Sequence, residues 1–311
     1  MNAVERLIVI LGPTASGKSA LGIALAEKLG GEILVCDSTQ VYRHFDIGTA
    51  KVPLAEQRGI RHYLVDLVEP NKIFTAGDYR RFALEALADL RCRQKIPIVT
   101  AGTGLYLRAL LEGLSDAPTR SEELRVRLRR KAEARGQVHL HRALRRLDPE
   151  AAGRIAPRDT QKIIRALEMR LLTGKTVSEI HRRGREGLEG YNVVKIGLLP
   201  PRARLYARID ARVEAMVAAG WIEEVRRLIE SGVPPASKPF QFIGYSQWRE
   251  FLQGGISRES AVMEIQQATR RFAKRQITWF RKEPGVHSLP GFGDDPEIFS
   301  SAIELLEPGK N

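Results

Sequence analysis

The chain has 311 residues, 43% of them apolar, and carries a net charge of +13. Its length allows a large core in one or two domains, and no apolar run approaches the roughly 20 residues that a membrane-spanning helix needs. We therefore expect a cytoplasmic protein without a membrane partner, and the basic excess favours a polyanionic partner such as nucleic acid. The two cysteines, Cys36 and Cys92, fit a reducing compartment and predict no metal site.

The first predicted elements are a strand, a phosphate-binding loop and a helix. The apolar run Leu7 to Leu11 precedes a loop that fits the pattern G-x-x-x-x-G-K-[ST] at every position, and the helical run Ala20 to Leu29 follows. The loop consists of Gly12, Pro13, Thr14, Ala15, Ser16, Gly17, Lys18 and Ser19. In such a loop backbone N–H groups turn towards an anion, the lysine contacts phosphate oxygens, and the last serine can bind Mg²⁺. The motif predicts bound phosphates but leaves open whether they belong to a nucleotide.

Three further apolar runs predict a parallel sheet that helices cover on both faces. They are Ile33 to Cys36, Ile96 to Thr100 and Val193 to Leu199, and the helical run Tyr79 to Arg93 lies between the first two. This alternation is typical of an α/β fold, here of the P-loop NTPase-like class. Ligands of such folds bind at the carboxyl ends of the strands.

Polar residues follow two of these strands and are candidates for the site. Asp37-Ser38-Thr39-Gln40 comes after the second strand, and Thr103 stands between two glycines after the third. Asp37 is compatible with three roles: holding Mg²⁺ through water with Ser19 as the inner ligand, acting as a general base, or capping a helix. The flanking glycines allow Thr103 to approach a ligand closely, although a plain turn has the same pattern.

Residues 118–190 predict an all-helical, basic insertion domain, which leaves 1–117 and 191–311 as the α/β core with C-terminal helices. From Arg120 to Arg185 there are 19 Lys or Arg against 8 Asp or Glu, a net charge of +11. The segment Thr119-Arg120-Ser121-Glu122 predicts a capping box before a helix, and Asp148-Pro149 and Asp159 predict two further helix starts. Charges of one sign repel unless a partner neutralises them, so the insertion predicts contact with a polyanion; a solvated helix face is the alternative.

Seven motifs follow one another along the chain. In chain order they read GPTASGKS, DSTQVYR, GTAKV, AGTGLYLRALLEGLS, DPEAAGRIAPRDTQKIIRALE, GYSQ and AKRQITWFR. Together they closely resemble the tRNA dimethylallyltransferase family, also called tRNA isopentenyltransferases. The resemblance extends to about Pro284, and its most specific parts are DSTQVYR and KRQITWFR. Members of this family transfer the allyl group of dimethylallyl diphosphate to the exocyclic amine of the adenosine 3′ of the anticodon and release diphosphate.

The resemblance implies a role for each matching residue. The loop from Gly12 to Ser19 would bind the donor diphosphate, with Lys18 on its oxygens and Ser19 on Mg²⁺. Asp37 would accept a proton from the adenine amine, Thr103 would touch donor or tRNA, and Arg212, on a predicted helix Arg204 to Ala219, would help to neutralise the leaving diphosphate. The residues implied in tRNA binding are Asp37, Ser38, Thr39, Gln40, Thr103, Arg125, Gln161, Lys162, Ile163, Ile164, Arg165, Gln241, Gly244, Lys274, Arg275 and Arg281.

The chain departs from the family at one segment, and three other functions compete with the implied one. The family commonly has arginines where this chain has Gln241 and Ser246, which leaves open whether that segment contacts phosphate. The competing functions are a P-loop small-molecule kinase, an adenylate isopentenyltransferase and a non-catalytic RNA-binding protein. The basic insertion argues against the first two, and the presence of Lys18 and Asp37 argues against the third.

Overall fold

The computed structural model describes residues 5–115, 118, 120–182 and 185–307, and the chain divides into two compact units. Met1–Leu111 and Glu189–Asn311 form one, called the core unit below, and Glu112–Leu188 form the other, called the helical unit. Within the described residues, no helix is both long and apolar enough to cross a membrane.

The core unit is built on a parallel sheet of six strands within its described residues. These are β1 (Glu5–Leu11), β2 (Glu32–Cys36), β3 (His62–Tyr63), β4 (Pro97–Ala101), β5 (Tyr191–Leu198) and β6 (Val286–Leu289). Their order is β3-β2-β4-β1-β5-β6, and every neighbouring pair is parallel. The predicted parallel α/β fold is confirmed. The two outer strands, β3 and β6, were not predicted, because they are only two and four residues long and lack a continuous apolar run.

The helices of the core unit accompany this sheet, and five further helices make up the described part of the helical unit. In chain order they are α1 (Lys18–Leu29), α2 (Ala76–Cys92), α3 (Gly104–Leu111), α4 (Glu122–Arg135), α5 (Gln137–Leu147), α6 (Pro149–Arg154), α7 (Thr160–Thr173), α8 (Val177–Arg182), α9 (Arg202–Ala218), α10 (Trp221–Glu230), α11 (Tyr245–Leu252), α12 (Arg258–Phe280) and α13 (Pro296–Leu306). The predicted helices of the core unit begin two or three residues earlier than expected. Elements α4 to α8 belong to the helical unit, whose described residues contain no strand.

Two apolar clusters of the core unit position the loops that carry the candidate site. The first surrounds β1, in which Leu7 to Leu11 are fully buried, and packs α1 and α13 against the sheet. The second packs Phe45 and its neighbours against Trp221 and Trp248 of α10 and α11. Burial of such large aromatic side chains stabilises the segment after β2 at the carboxyl edge of the sheet.

In the helical unit, short polar side chains cap the N-termini of three helices. The side chains of Ser121, Asp148 and Asp159 accept hydrogen bonds from the backbone N–H groups of the first turns of α4, α6 and α7. The predicted caps Asp148 and Asp159 are confirmed, whereas α4 is capped by Ser121; Thr119 lies outside the described residues. Each such cap stabilises a helix by about 1 kcal/mol.

Candidate active site

A cleft of about 1810 Å³ lies in the core unit at the carboxyl ends of the strands. Loops after β1, β2 and β4 line it, together with residues of α9 and α12 and the segment before α13. The predicted site residues among its lining are Thr14, Ala15, Ser16, Gly17, Lys18, Ser19, Asp37, Ser38, Thr39, Gln40, Thr103, Arg212, Gln241 and Arg275. The fold therefore brings the predicted phosphate loop, the polar residues after β2 and β4, and Arg212 to one cleft.

The phosphate loop turns tightly between β1 and α1. Ala15 and Gly17 have left-handed φ angles of 62° and 85°. A Cβ on Gly17 would lie 2.6 Å from a carboxylate oxygen of Asp294 and 2.7 Å from the backbone nitrogen of Gly293, so glycine is required here. Among the described residues, the buried hydroxyl of Ser16 has no hydrogen-bond partner. The orphaned hydroxyl fits a loop that receives an anionic ligand.

Lys18 lies in an environment that favours an added negative charge. Its Nζ donates a hydrogen bond of 2.9 Å to the carbonyl of Pro13. Burial lowers the pKa of Lys18 to about 8; the carboxylate of Asp37 opposes this effect, and the guanidinium of Arg212 adds to it. Burial and the charge of Arg208 likewise lower the pKa of Arg212. A bound diphosphate would relieve the mutual repulsion of these cations.

Asp37 is held by the turn that follows β2. Its Oδ1 accepts hydrogen bonds from the backbone nitrogen of Thr39 at 2.8 Å and from the Thr39 hydroxyl at 2.6 Å. Its Oδ2 faces Gly102, where a Cβ would lie 2.8 Å away. The residues after Asp37 form a turn and not a helix, which removes the helix-capping alternative. One carboxylate oxygen is thus fixed by the turn while the other points towards the end of β4.

Hydrogen bonds join the loops after β2 and β4. The backbone nitrogens of Gly102 and Thr103 both donate to the carbonyl of Cys36 at 3.0 Å. The Thr103 hydroxyl accepts from the backbone nitrogen of Ser38 at 3.0 Å. The side chain of Gln40 connects to the following segment, since its Nε2 donates a hydrogen bond of 3.1 Å to the carbonyl of Thr49. Thr103 therefore positions the Asp37 loop, a contact beyond the plain turn that its sequence allowed.

Three further residues contribute to the cleft without having been singled out from the sequence. Arg208, one turn before Arg212 on α9, pairs with both carboxylate oxygens of Asp294 at 2.8 and 2.9 Å. Gln276, on α12, is 7% exposed and accepts from the backbone nitrogen of Thr14 at 2.8 Å. The available signal for Gln276 was its place on the buried stripe of α12, between Ala273 and Phe280.

The predicted tRNA-binding residues of the core unit that lie outside the loops after β2 and β4 divide into exposed and buried ones. Gln241, Lys274, Arg275 and Arg281 are exposed, as a surface contact requires. Gly244 is buried, has a φ of 91°, and a Cβ on it would lie 1.9 Å from the nearest atom of the Trp221 indole. Packing against the indole explains why a glycine stands at this position, and its RNA contact stays a prediction.

The same division holds for the helical unit. Gln161 and Lys162 are exposed, and Lys162 pairs with Asp159 at 2.8 Å. The side chains of Ile163 and Ile164 are buried, at 0% and 4% exposure, in the apolar core of this unit. An RNA contact through these two side chains is excluded, since they form the inner face of α7.

Arg125 and Arg165, whose implied tRNA contacts stay predictions, both bind a buried carboxylate. Arg125 donates to the two carboxylate oxygens of Glu168 at 2.8 and 2.7 Å, and Arg165 donates to one of them at 2.5 Å. Burial alone would raise the pKa of Glu168, but the hydrogen bonds from both arginines and from the Ser121 backbone lower it to about 2. In this structure the two arginines therefore hold the helical unit together.

Comparison with known proteins places the chain in a family. The family model for IPP transferases matches residues 40–283. The chain belongs to the IPP transferase family. A tRNA dimethylallyltransferase of Solibacter usitatus is 50% identical over 96% of this chain and 97% of its own length. One of Koribacter versatilis is 48% identical, covering 97% and 98%.

Solved structures of IPP transferases show the same fold. The crystal structure of a tRNA isopentenylpyrophosphate transferase of Bacillus halodurans has 35% sequence identity and a TM-score of 0.70, and the match covers 97% of each chain. A eukaryotic dimethylallyltransferase acting on tRNA has 27% identity and a TM-score of 0.83, covering 99% of this chain and 81% of that one. The predicted family, the P-loop α/β fold and the transferase class are confirmed.

Proposed function

We propose that this protein transfers the dimethylallyl group of dimethylallyl diphosphate to the exocyclic amine of the adenosine 3′ of the anticodon in tRNA. The observation that carries the proposal is the meeting of Lys18, Asp37 and Arg212 in one cleft, where the charges of Asp37 and Arg212 both affect the pKa of Lys18. Two cations beside a phosphate loop suit a diphosphate leaving group. A carboxylate in the same cleft suits a proton acceptor.

The donor diphosphate would lie on the backbone N–H groups from Gly12 to Ser19. During transfer the bond between the allylic carbon and the diphosphate oxygen breaks, and its electron pair stays with the diphosphate. The leaving group therefore gains negative charge, which Lys18, Arg212 and the N-terminus of α1 stabilise most strongly at that moment. A bound anion also raises the pKa of Lys18 and keeps its ammonium group protonated.

We propose Mg²⁺ as the accompanying ion, since the residues of the loop fit it. Ser19 is exposed at the start of α1 and lines the cleft, where its hydroxyl is a hard oxygen ligand. The carboxylate of Asp37 lines the same cleft, and the orphaned Ser16 hydroxyl belongs to the same loop as Ser19. When bound, Mg²⁺ would supply positive charge to the diphosphate oxygens.

Asp37 would accept the proton that the adenine amine loses. An aromatic amine is a weak nucleophile, and a carboxylate in hydrogen-bond reach of it promotes attack on the allylic carbon. The new bond joins that carbon to the amine nitrogen, and the proton passes from the nitrogen to Asp37. Thr39 fixes one carboxylate oxygen, and Thr103 holds the Ser38 backbone beside it. This arrangement gives the base a defined direction before the substrate arrives.

tRNA is the acceptor that the charge distribution favours. The exposed side chains of Lys274, Arg275 and Arg281 present three positive charges on and just after α12. The helical unit adds the net charge of +11 between Arg120 and Arg185. A base that reacts inside the cleft must leave its stack, so the adenosine would bind in a flipped conformation. We propose that both basic surfaces contact the backbone of the anticodon stem and loop, in the cytoplasm.

Allyl transfer without ATP tests this proposal. Purified protein, dimethylallyl diphosphate, Mg²⁺ and unmodified tRNA should give allylated tRNA and free diphosphate, and the Lys18→Ala variant should use the donor far less well. Adenosine monophosphate in place of tRNA serves as the second acceptor. ATP turnover without allyl transfer would indicate a kinase, and equal use of the free nucleotide would indicate an adenylate isopentenyltransferase.

A further inference from the structure

The side-chain amide of Gln276 connects two loops of the cleft. Its Oε1 accepts a hydrogen bond of 2.8 Å from the backbone nitrogen of Thr14, and its Nε2 donates one of 2.8 Å to the carbonyl of Gly102. Thr14 belongs to the phosphate loop after β1, and Gly102 directly follows β4. The amide is 7% exposed, so water competes little for either hydrogen bond.

The Gly102 end of this connection lies against Asp37. A Cβ on Gly102 would lie 2.8 Å from Asp37 Oδ2 and 3.8 Å from Gln276 Nε2. The backbone nitrogen of Gly102 donates to the carbonyl of Cys36, the residue before Asp37. One side chain thus connects the loop that would hold the donor to the strand end that faces the proton acceptor.

The helix that carries Gln276 is anchored at the same strand end one turn later. A Cβ on Gly104 would lie 2.3 Å from the Trp279 indole, so α12 packs tightly on the residues after β4. On the turn that contains Gln276, Lys274 and Arg275 are exposed. The amide therefore lies on the inner side of a helix whose outer side is basic.

A side-chain amide satisfies both loops without any change of protonation. A glutamine offers a hydrogen-bond donor and an acceptor on one planar group. An ionised glutamate of the same length only accepts, and a methionine neither donates nor accepts a strong hydrogen bond. Gln266, on the same helix, offers a comparison: its Nε2 donates to Glu214 at 3.2 Å, away from the cleft lining.

We propose that Gln276 is a positioning residue, which sets the separation between the donor phosphate loop and the edge of the sheet that carries Asp37. This proposal rests on the proposed allyl transfer. The reacting carbon and the amine must meet in a near-attack geometry, and a shift of about 1 Å is enough to slow such a step about 100-fold. Loss of the amide should thus slow the chemical step while leaving RNA binding in place.

The first experiment compares Gln276→Met with Gln266→Met and the parent. Gln276→Met should lower kcat about 10- to 100-fold, with tRNA Kd within about twofold and a thermal midpoint close to that of the control. The control variant should keep the parent kcat. An unchanged kcat in Gln276→Met, or a loss confined to tRNA binding, would overturn the proposal. A parent protein that transfers no allyl group would instead refute the proposed function itself.

A second variant, Gln276→Glu, separates positioning from packing. The new carboxyl accepts from Thr14 in either state but donates to Gly102 only when protonated. The new carboxyl would lie near Asp37, in the cleft that Lys18 and Arg212 also line. Burial, the charge of Asp37 and the carbonyl of Gly102 oppose its ionisation, whereas the two cations favour it.

We expect burial, Asp37 and the carbonyl to dominate, so the ratio of variant to parent kcat should rise about threefold or more from about pH 8.5 to about pH 6. A packing role alone does not depend on the proton of this group. A ratio that stays constant while the new carboxyl is seen to titrate within this range would contradict the positioning role.

Discussion

Replacing Glu168 with glutamine tests whether the ion cluster of Arg125, Arg165 and Glu168 stabilises the helical unit. The substitution keeps the shape of the side chain and removes its charge, so the two arginines lose the carboxylate that they share. The pKa of Glu168 falls from 4.5 to about 2 on folding. That difference corresponds to about 3 kcal/mol of stability at neutral pH, in the range measured when one partner of a buried pair is removed.

The pH dependence follows from the direction of this shift. A carboxylate with a lowered pKa stabilises the folded state fully above the unfolded value of about 4.5, and its contribution disappears as the pH falls towards about 2. The parent should therefore lose stability relative to Glu168→Gln between these two values. At pH 7 the variant should be less stable by about 3 kcal/mol.

The assay uses the position of the tryptophans. All three, Trp221, Trp248 and Trp279, lie in the core unit. Glu168→Gln should shift the far-ultraviolet circular dichroism of unfolding, which reports on all helices, and leave the transition seen by tryptophan fluorescence in place. Glu133→Gln, an exposed change on α4, is the matched control. Equal stability of Glu168→Gln and the parent at pH 7 would refute the assigned role of the cluster.

Three further predictions concern the core unit. Asp37→Asn should lower turnover roughly 10²- to 10⁴-fold at unchanged tRNA affinity, measured by single-turnover kinetics; rescue by added Mg²⁺ would assign Asp37 to the metal instead. Gly244→Ala should destabilise the protein by about 2 kcal/mol or more in urea unfolding because its Cβ meets an indole, whereas Gly232→Ala, with a similar φ of 79° and open space around it, should cost less. Joint replacement of Lys274 and Arg275 by alanine should flatten the log–log salt dependence of tRNA affinity by about 0.7 per lost phosphate contact, and an unchanged slope would remove them from the interface.

The elements that the sequence predicted share strong local signals. Four strands appear as short, mainly apolar runs, and Gly12 to Ser19 matches a loop whose conformation is local. The helix caps Asp148 and Asp159 act on the residues directly after them. Such features depend on neighbours in the chain, so a single sequence contains them.

The features that were missed depend on distant partners. Arg125 and Glu168 meet across 43 positions, and a basic residue on a helix gives no sign that it binds a buried carboxylate. Gln276 meets Thr14 across 262 positions. Gly244 is fixed by an indole that approaches from α10. A family motif identifies such residues as a group without separating those that contact a ligand from those that hold the fold.

The most direct test of the proposed activity is the mass of the tRNA nucleosides from cells that have this protein and from cells that lack it. We predict that adenosine 3′ of the anticodon gains the mass of one dimethylallyl group only when the parent protein is present. Cells that carry only Lys18→Ala should lack most of this product. Identical nucleosides in cells with and without the protein would contradict the proposed activity.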